Sequence, residues 1–336
     1  MYNIIRFFLF LFNPEFAHHL AMKSLKVANF LGILTFVQNK NYCKPRIIFG
    51  ITFNNPIGLA AGLDKNAEYI DCLSKLGFGF IEVGTVTPRP QPGNPKPRSF
   101  RLTEEKGIIN RFGFNNDGID KVINNIKRSS FKGILGINIG KNFDTPINKA
   151  VDDYLFCFRK SYLFASYIVL NVSSPNTKNL RALQSGENLN VLLRTIKDEQ
   201  KTLSKKYGKY VPFLLKISPD NSESQLRIIC KLLIDYKIDG IIATNTTISR
   251  GDVNKSQFRN ELGGLSGLPL KSSSLKTLKL LKKILKGKIP IIGVGGVMSA
   301  RDGKEKMENG ADLIQIYSGL IFKGHKLIYE LCRAIK

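Results

Sequence analysis

The sequence predicts an α/β fold, a (β/α)8 TIM barrel with a small N-terminal helical extension. Three observations lead to this prediction: short apolar runs alternate with amphipathic stretches from residue 56 onward, there are about eight such pairs, and no low-complexity linker divides them. The runs are almost continuously apolar, which is typical of parallel strands that are buried on both faces. A chain of 336 residues is long enough to close such a barrel.

The apolar runs are assigned to barrel strands in chain order, and the amphipathic stretches between them to helices. The predicted strands are residues 57–62, 78–84, 134–139, 167–171, 213–217, 240–244, 289–294 and 313–317. The clearest predicted helices are residues 66–76, 189–206, 222–236 and 272–285. A doubly wound dinucleotide-binding sheet is the alternative, but the glycine run at 293–296 lacks the third glycine and the acidic residue of that fingerprint.

Residues 1–38 are predicted to form an amphipathic helical extension, and residues 39–336 the barrel domain. Ile4, Phe7, Phe8, Leu11 and Phe12 can share one face of a first helix, which the Asn-Pro pair at 13–14 would end. The apolar run is far shorter than the roughly 20 residues of a membrane-spanning helix. A secretory signal fits poorly, because a charged residue interrupts the run and no cleavage site follows. Packing on the barrel and lying in a membrane interface both explain the pattern.

The composition argues against several classes of function. The formal net charge is +25, but the basic residues are scattered and form no nucleic-acid-binding module, so nucleic acid is not expected as a partner. The five cysteines are far apart and form no C-x-x-C pair. Neither a metal site nor a disulfide framework is therefore expected, and the pattern suggests reduced thiols in the cytosol.

The ends of the predicted strands carry the polar residues, where barrels place their reacting groups. These segments read AAGLDK, GTVT, NIGKN, NVSSPN, KIS, ATNTT, GVGG and YSG. Carboxylates are nearly absent from them, which disfavours paired-acid glycosidase chemistry and a carboxylate metal site. The glycine-rich ends of the last two strands favour phosphate binding over simple helix–strand packing.

Two residue types at these ends raise questions of mechanism. A serine nucleophile needs a base, yet His18, His19 and His325 are all remote in sequence from the serine pair at 173–174. Lys216 ends an apolar strand and needs a counter-charge or a lowered pKa. It could form a Schiff base or stabilise a bound anion. Amide side chains could face a planar ring that bears amide groups, at Asn110, Asn171, Asn176 and Asn245.

The motifs taken together resemble those of the quinone-dependent, class 2 dihydroorotate dehydrogenases over nearly the whole chain. They are AAGLDK, GTVTPRPQPGNPKPR, NRFGFNN, GINIGKN, NVSSPNT, ATNTT, GGLSG, GVGGV and QIYSG. The resemblance implies oxidation of (S)-dihydroorotate to orotate with FMN as hydride acceptor and a membrane quinone as final acceptor, in de novo pyrimidine (UMP) biosynthesis. Class 1 relatives use a cysteine in place of Ser174, and NVSSPN contains none.

The resemblance also implies roles for individual residues. Ser174 would be the catalytic general base that takes a proton from C5 of dihydroorotate while hydride passes from C6 to the flavin. The implied cofactor contacts are Ala61, Gly62, Leu63, Asp64, Lys65, Thr85, Asn138, Asn171, Lys216, Thr244, Gly267, Gly296, Tyr317 and Ser318. The implied substrate contacts are Lys65, Asn110, Arg111, Phe112, Gly113, Phe114, Asn171, Asn176, Asn245 and Thr246. Lys65 would face the substrate carboxylate, and Lys216 would favour negative charge on the reduced ring.

The resemblance implies that the extension forms the opening through which quinone reaches the flavin. A monomer attached peripherally to the cytoplasmic side of a cell inner membrane is expected. Two alternative functions also fit parts of the pattern. A Schiff-base aldolase could use Lys216 and would be colourless, and a non-catalytic membrane-bound scaffold would leave the polar strand ends unexplained.

Overall fold

The computed structural model describes residues 2–36, 43–184 and 186–335. Eight parallel strands close into a barrel, which confirms the predicted fold class. In their order around the barrel they are β3 (Ile57–Leu59), β4 (Phe80–Val86), β7 (Ile134–Ile139), β8 (Tyr167–Asn171), β9 (Phe213–Ile217), β10 (Gly240–Ala243), β12 (Ile291–Val294) and β13 (Leu313–Ile316). Each overlaps one of the predicted runs, and β4 extends two residues beyond the end of its run.

The barrel strands are buried on both faces, in keeping with their almost continuously apolar sequences. Their inward side chains form one cluster that includes Phe80, Leu214 and Ile242. An antiparallel hairpin, β1 (Arg46–Ile48) and β2 (Ile51–Phe53), contributes Phe53 to the same cluster. The Phe53 and Phe80 rings meet edge to face with centroids 5.2 Å apart, so the hairpin helps to fill the barrel interior.

Helices surround the barrel. Those outside the extension are α3 (Ile70–Ser74), α4 (Ile119–Arg128), α5 (Ala150–Ser161), α6 (Gly186–Tyr207), α7 (Glu223–Asp235), α8 (Lys271–Leu285), α9 (Ala300–Glu308), α10 (Ser318–Lys323) and α11 (Lys326–Ala334). α3 is shorter than predicted. The Asp64 carboxylate accepts the backbone N–H groups of Glu68 and Tyr69, and Ala67 has a φ of 58°, so the chain before residue 70 forms a turn instead of a helix.

A three-stranded antiparallel sheet, which was not predicted from the sequence, lies beside the barrel. It consists of β5 (Ser99–Leu102), β6 (Gly107–Asn110) and β11 (Gly264–Gly267), in the order β11-β6-β5. It has its own apolar cluster, which includes Phe100 and Leu265. The sheet joins the loop after β4 to the loop after β10.

The extension forms two helices, α1 (Tyr2–Phe10) and α2 (Pro14–Phe30), and the predicted break between them is confirmed. The Asn13 side chain accepts the N–H of Glu15 at 3.0 Å, and Pro14 starts the second helix. A short 3-10 turn, Ile33–Phe36, follows. The domain boundary predicted at 38/39 lies outside the described residues.

The extension has one docked face and one exposed face. The Tyr2 hydroxyl donates to the carbonyl of Ile321 at 2.6 Å, Arg6 donates to the carbonyl of Phe322, and the Phe10 and Phe322 rings meet edge to face. On the other side, large apolar side chains stay exposed, with Leu11 at 69% and Phe30 at 89%. The exposed set also includes Ile4, Phe7, Phe8, Phe12, Phe16, Leu20 and Val27. Within the described ranges, no helix has the length and apolarity to cross a bilayer.

The fold brings two of the five cysteines together, which the sequence did not lead us to expect. Cys43 and Cys332 lie side by side, with Cα atoms 5.5 Å apart across a sequence separation of 289. Sequence spacing could not reveal this pair, because it forms only when α11 returns to the start of the barrel domain. Cys72, Cys157 and Cys230 are free and buried.

Candidate active site

A cavity opens at the carboxyl ends of the barrel strands and brings together most of the residues singled out from the sequence. Those that line it are Ala61, Gly62, Lys65, Thr85, Asn110, Phe112, Gly113, Phe114, Asn171, Ser174, Asn176, Lys216, Thr244, Asn245, Thr246, Gly267, Gly296, Tyr317 and Ser318. They come from strand ends and loops on all sides of the barrel, as active sites of this architecture do. The cavity is therefore the candidate active site.

Four of the sequence-predicted residues do not line the cavity. Leu63 packs in the apolar core, and Asp64 holds the turn before α3, where burial raises its pKa to about 6. Asn138 lies beneath the cavity wall, with its Nδ2 donating to Glu82. Arg111 points outward: its Nη1 donates to Glu261 at 2.6 Å, and its guanidinium lies 4.6 Å from the centroid of Phe100.

The two neighbouring serines have different surroundings. Ser174 lines the cavity, and its Oγ accepts the backbone N–H of Asn176 at 3.2 Å, which leaves its own hydroxyl hydrogen free to face the cavity. Ser173 is fully buried. Its Oγ donates to Asn171 Oδ1 at 3.1 Å and accepts from Asn245 Nδ2 at 3.0 Å. The hydroxyl of Ser173 is thus engaged within the protein, whereas that of Ser174 faces the cavity.

Lys65 contributes an ammonium to one side of the cavity. Its Nζ lies 4.3 Å from the centroid of the Phe112 ring, and among the described residues no carboxylate oxygen lies within 4.0 Å of it. Burial, and next the charge of Arg98, lower the pKa of Lys65 to about 8. A buried ammonium without a carboxylate partner favours the binding of an anionic group.

Lys216 contributes a second ammonium, at the end of β9. Burial lowers its pKa, and the Glu82 carboxylate acts in the opposite direction from 3.9 Å away. Glu82 therefore supplies the counter-charge that Lys216 needs at the end of an apolar strand. It was missed because it lies inside a strand, at the third position of FIEVGTV, and not at the strand end.

The glycine-rich loops after β12 and β13 bring backbone close to the cavity. Gly296 has a φ of 75°, and a Cβ there would overlap the backbone of Lys271, so only glycine fits. Nearby, the hydroxyls of Ser266 and Ser318 are hydrogen-bonded at 2.9 Å. Gln315, in the apolar strand β13, also lines the cavity, and its Oε1 is a buried acceptor without a hydrogen-bond partner in the described structure.

Histidine is absent from the described lining of the cavity. α2 brings His18 close enough to Lys65 for the Lys65 charge to act on it; burial and that charge lower the pKa of His18 to about 3. A serine–histidine nucleophile is therefore not assembled in the described site.

Comparison with known proteins gives one family. Residues 46–336 match the family model described as dihydroorotate dehydrogenase. The chain is 52% identical over 335 residues to a protein of Methylobacillus flagellatus named dihydroorotate dehydrogenase (quinone), with 100% of this chain and 99% of the relative covered. A relative of the same name from Acinetobacter baumannii is 54% identical with the same coverage. Among solved structures, DHODH from Eimeria tenella in complex with ferulenol matches with a TM-score of 0.88 and 36% identity, covering 96% of this chain and 90% of that one.

Proposed function

Since the chain belongs to the dihydroorotate dehydrogenase family, we propose that its cavity binds FMN and dihydroorotate together and that its N-terminal extension admits a membrane quinone. The family reaction is the oxidation of dihydroorotate to orotate in pyrimidine biosynthesis, with a flavin as cofactor, and the relatives are named for quinone as acceptor. One observation carries the proposal: a single cavity combines two ammonium groups, converging amides and glycine-rich loops.

The residues present fit FMN. The close backbone at Gly295 and Gly296, with the hydroxyl of Ser318, supports binding of the flavin phosphate. Gln315 Oε1 offers a buried acceptor to a ring N–H, and Lys216 offers positive charge to a ring that gains negative charge on reduction. Bound FMN would supply the hydride acceptor for the reaction. Thr85, Asn171 and Thr244 line the same cavity.

Dihydroorotate is proposed to lie between Lys65 and the amide side chains. Lys65 would bind the substrate carboxylate, and Asn110, Asn176 and Asn245 would bind the N–H and C=O groups of the ring. Ser174 would take the proton from C5. A serine without histidine is a weak base, so the site must compensate through proximity and exclusion of water. The burial of Ser174, at 5% exposure, supports such a dry site.

The extension, taken as residues 1–38, is proposed to form the quinone entrance and a peripheral membrane anchor. Its exposed apolar face, which includes Phe7, Leu11 and Phe30, suits a helix pair lying in the interface of a bilayer. Glu15, His19 and Arg98 line a second cavity between α2 and the loop after β4. We further propose a monomer on the cytoplasmic side of a cell inner membrane.

The first experiment measures flavin and the half-reaction. The purified protein should be yellow, release one FMN on denaturation, and bleach when dihydroorotate is added without oxygen. A colourless protein that takes up no flavin, and that borohydride traps covalently with a carbonyl substrate, would instead indicate a Schiff-base enzyme at Lys216. The buried ion pair of Lys216 with Glu82 disfavours that outcome.

The second experiment tests the extension. Deleting residues 1–38 should abolish binding to liposomes and reduction of a long-chain quinone while bleaching by dihydroorotate survives. A matched variant with Phe7, Phe8 and Leu11 changed to serine keeps the docked face and should lose liposome binding alike. If the truncated, flavin-loaded protein reduces the quinone as fast as the intact chain, the extension is not the quinone entrance.

A further inference from the structure

We propose that Glu82 is a positioning residue that sets the hydrogen-bonding direction of the amide groups around the flavin and substrate sites. The inference deepens the proposed function and rests on it. Glu82 lies in the middle of β4 and is fully buried beneath the cavity, so it touches neither ligand site directly. It acts through the side chains that it fixes.

Three donors surround the Glu82 carboxylate. Asn138 Nδ2 donates to Oε1 at 2.8 Å, and Gln315 Nε2 and the Tyr167 hydroxyl donate to Oε2 at 2.6 and 3.2 Å. Burial, followed by the charge of Glu82, raises the pKa of Tyr167 well above its ordinary value, so this hydroxyl remains a donor. With Lys216 also 3.9 Å away, Glu82 is an acceptor only, and each amide must turn its NH2 group toward it.

The orientation of Asn138 determines the next two groups. Because its NH2 faces Glu82, its Oδ1 faces the hydroxyl of Thr85, which donates to it at 2.6 Å. A hydroxyl has one hydrogen, so Thr85 Oγ1 can only accept from its other neighbour, and Asn171 Nδ2 donates to it at 2.8 Å. The amide of Asn171 is thereby fixed as well.

This series of hydrogen bonds ends in the proposed substrate site. With its NH2 turned toward Thr85, Asn171 presents Oδ1 to the Ser173 hydroxyl at 3.1 Å and to Asn245 Nδ2 at 3.2 Å. Asn245 Nδ2 also donates to Ser173 Oγ, so its own Oδ1 faces away and accepts the N–H of Thr246. One buried carboxylate thus orders hydrogen bonds from below the proposed flavin ring to the proposed substrate amides.

A separate branch runs through Gln315. Its Nε2 is held by Glu82, and this leaves its Oε1 as the partnerless buried acceptor that lines the cavity. A carboxamide in place of Glu82 could present either an oxygen or an NH2 group to each neighbour. The hydrogen bonds through Asn138 and those through Gln315 would then lose their fixed donor-to-acceptor direction, and the negative charge beside Lys216 would be lost as well.

The test uses the full-length, flavin-loaded protein and the variant Glu82→Gln. Orotate affinity, followed by the flavin absorbance, should fall at least about tenfold, since two or more hydrogen bonds in the site lose their fixed direction. Loss of a buried negative charge should favour reduced over oxidised flavin by about tenfold or more. For a two-electron couple this raises the midpoint potential by about 30 mV.

Two further variants make the test specific. Tyr167→Phe removes one donor to Glu82 but keeps the carboxylate and both amide branches, so its potential and orotate affinity should match the wild type. Thr85→Val removes the hydroxyl that links Asn138 to Asn171 by hydrogen bonds, without changing the charge of the site. Orotate affinity should therefore fall, while the flavin midpoint potential should not rise as it does in Glu82→Gln. If Glu82→Gln fails to fold, the orotate affinity of Thr85→Val decides whether the inference holds.

Wild-type affinity and potential in Glu82→Gln would overturn the inference, as would wild-type orotate affinity in Thr85→Val. Equal changes of orotate affinity and midpoint potential in Tyr167→Phe and Glu82→Gln would also overturn it, because a general loosening of the barrel core would then explain both variants. A wild-type protein that takes up no flavin would overturn the proposed function itself.

Discussion

Replacing Lys65 with methionine should weaken orotate binding strongly without preventing flavin binding. Methionine keeps the length of the side chain and its packing on Phe112 but removes the ammonium. In the described structure that ammonium has the aromatic face 4.3 Å away and no carboxylate within 4.0 Å, so a bound anion would be its main charged partner.

The size of the effect follows from the type of contact. A hydrogen bond between charged groups contributes about 1.5 to 3 kcal/mol in a partly buried site. At about 1.4 kcal/mol for each factor of ten, the Kd of orotate should rise roughly 10- to 150-fold. The pKa of about 8 adds a pH dependence, since only the protonated form attracts a carboxylate. Wild-type Kd should therefore be constant below this pH and rise by up to about tenfold per unit above it.

The assay is a titration of flavin-loaded protein with orotate between pH 6.5 and 10, read by the change in flavin absorbance. Lys127→Met is the matched control, because Lys127 also lies over an aromatic ring, that of Phe164, but on the surface away from the cavity. It should bind orotate like the wild type. A Kd for Lys65→Met within twofold of the wild type, or a wild-type Kd that is flat to pH 10, would refute the reasoning.

Three other predictions concern the serines, the second lysine and the extension. Ser174→Ala should slow flavin reduction by dihydroorotate by about 10² or more in stopped flow while flavin content stays normal, and a larger loss in Ser173→Ala would identify the wrong serine. Lys216→Ala should lower flavin content or the reduction rate, and normal values for both would contradict its role. Glu15→Ala leaves Arg98 without its carboxylate and should destabilise the protein by about 3 kcal/mol in thermal unfolding at pH 7. Burial raises the pKa of Glu15, but the Arg98 guanidinium outweighs it and holds this pKa below its ordinary 4.5. The stability that the ion pair contributes is therefore present above pH 4.5 and is lost as pH falls through the lower pKa of the folded state. If the stability difference between wild type and Glu15→Ala stayed the same at low pH, the ion pair would not be its source.

The barrel strands could be predicted because a strand buried on both faces needs a mainly apolar run wherever it lies in the barrel. The sheet of β5, β6 and β11 could not. All three of its strands have only four residues, and β11 lies about 150 residues further along the chain than the other two, so the pairing of β11 is a property of the closed fold. Cys43 and Cys332 escaped prediction for the same reason.

In the site, the polar residues at or near strand ends were found from the sequence, and two further inside the strands, Glu82 and Gln315, were missed. Glu82 and Gln315 are 233 residues apart and hydrogen-bond only because closure of the barrel turns both inward. Arg111 and Asp64 show the opposite error. A residue next to a cavity residue can point elsewhere, here toward Glu261 and toward the turn before α3.

The docking of α1 has a consequence for how the protein is synthesised. The acceptor of the Tyr2 hydroxyl, the carbonyl of Ile321, is 319 residues further along the chain, and Arg6 binds the carbonyl of Phe322. At about 5 to 20 residues per second, the ribosome needs roughly 16 to 64 s to make this docking site after it has made Tyr2. Throughout that time the docked face of α1 is without its barrel partners, so a chaperone or the bilayer surface can bind the nascent helix before the barrel does.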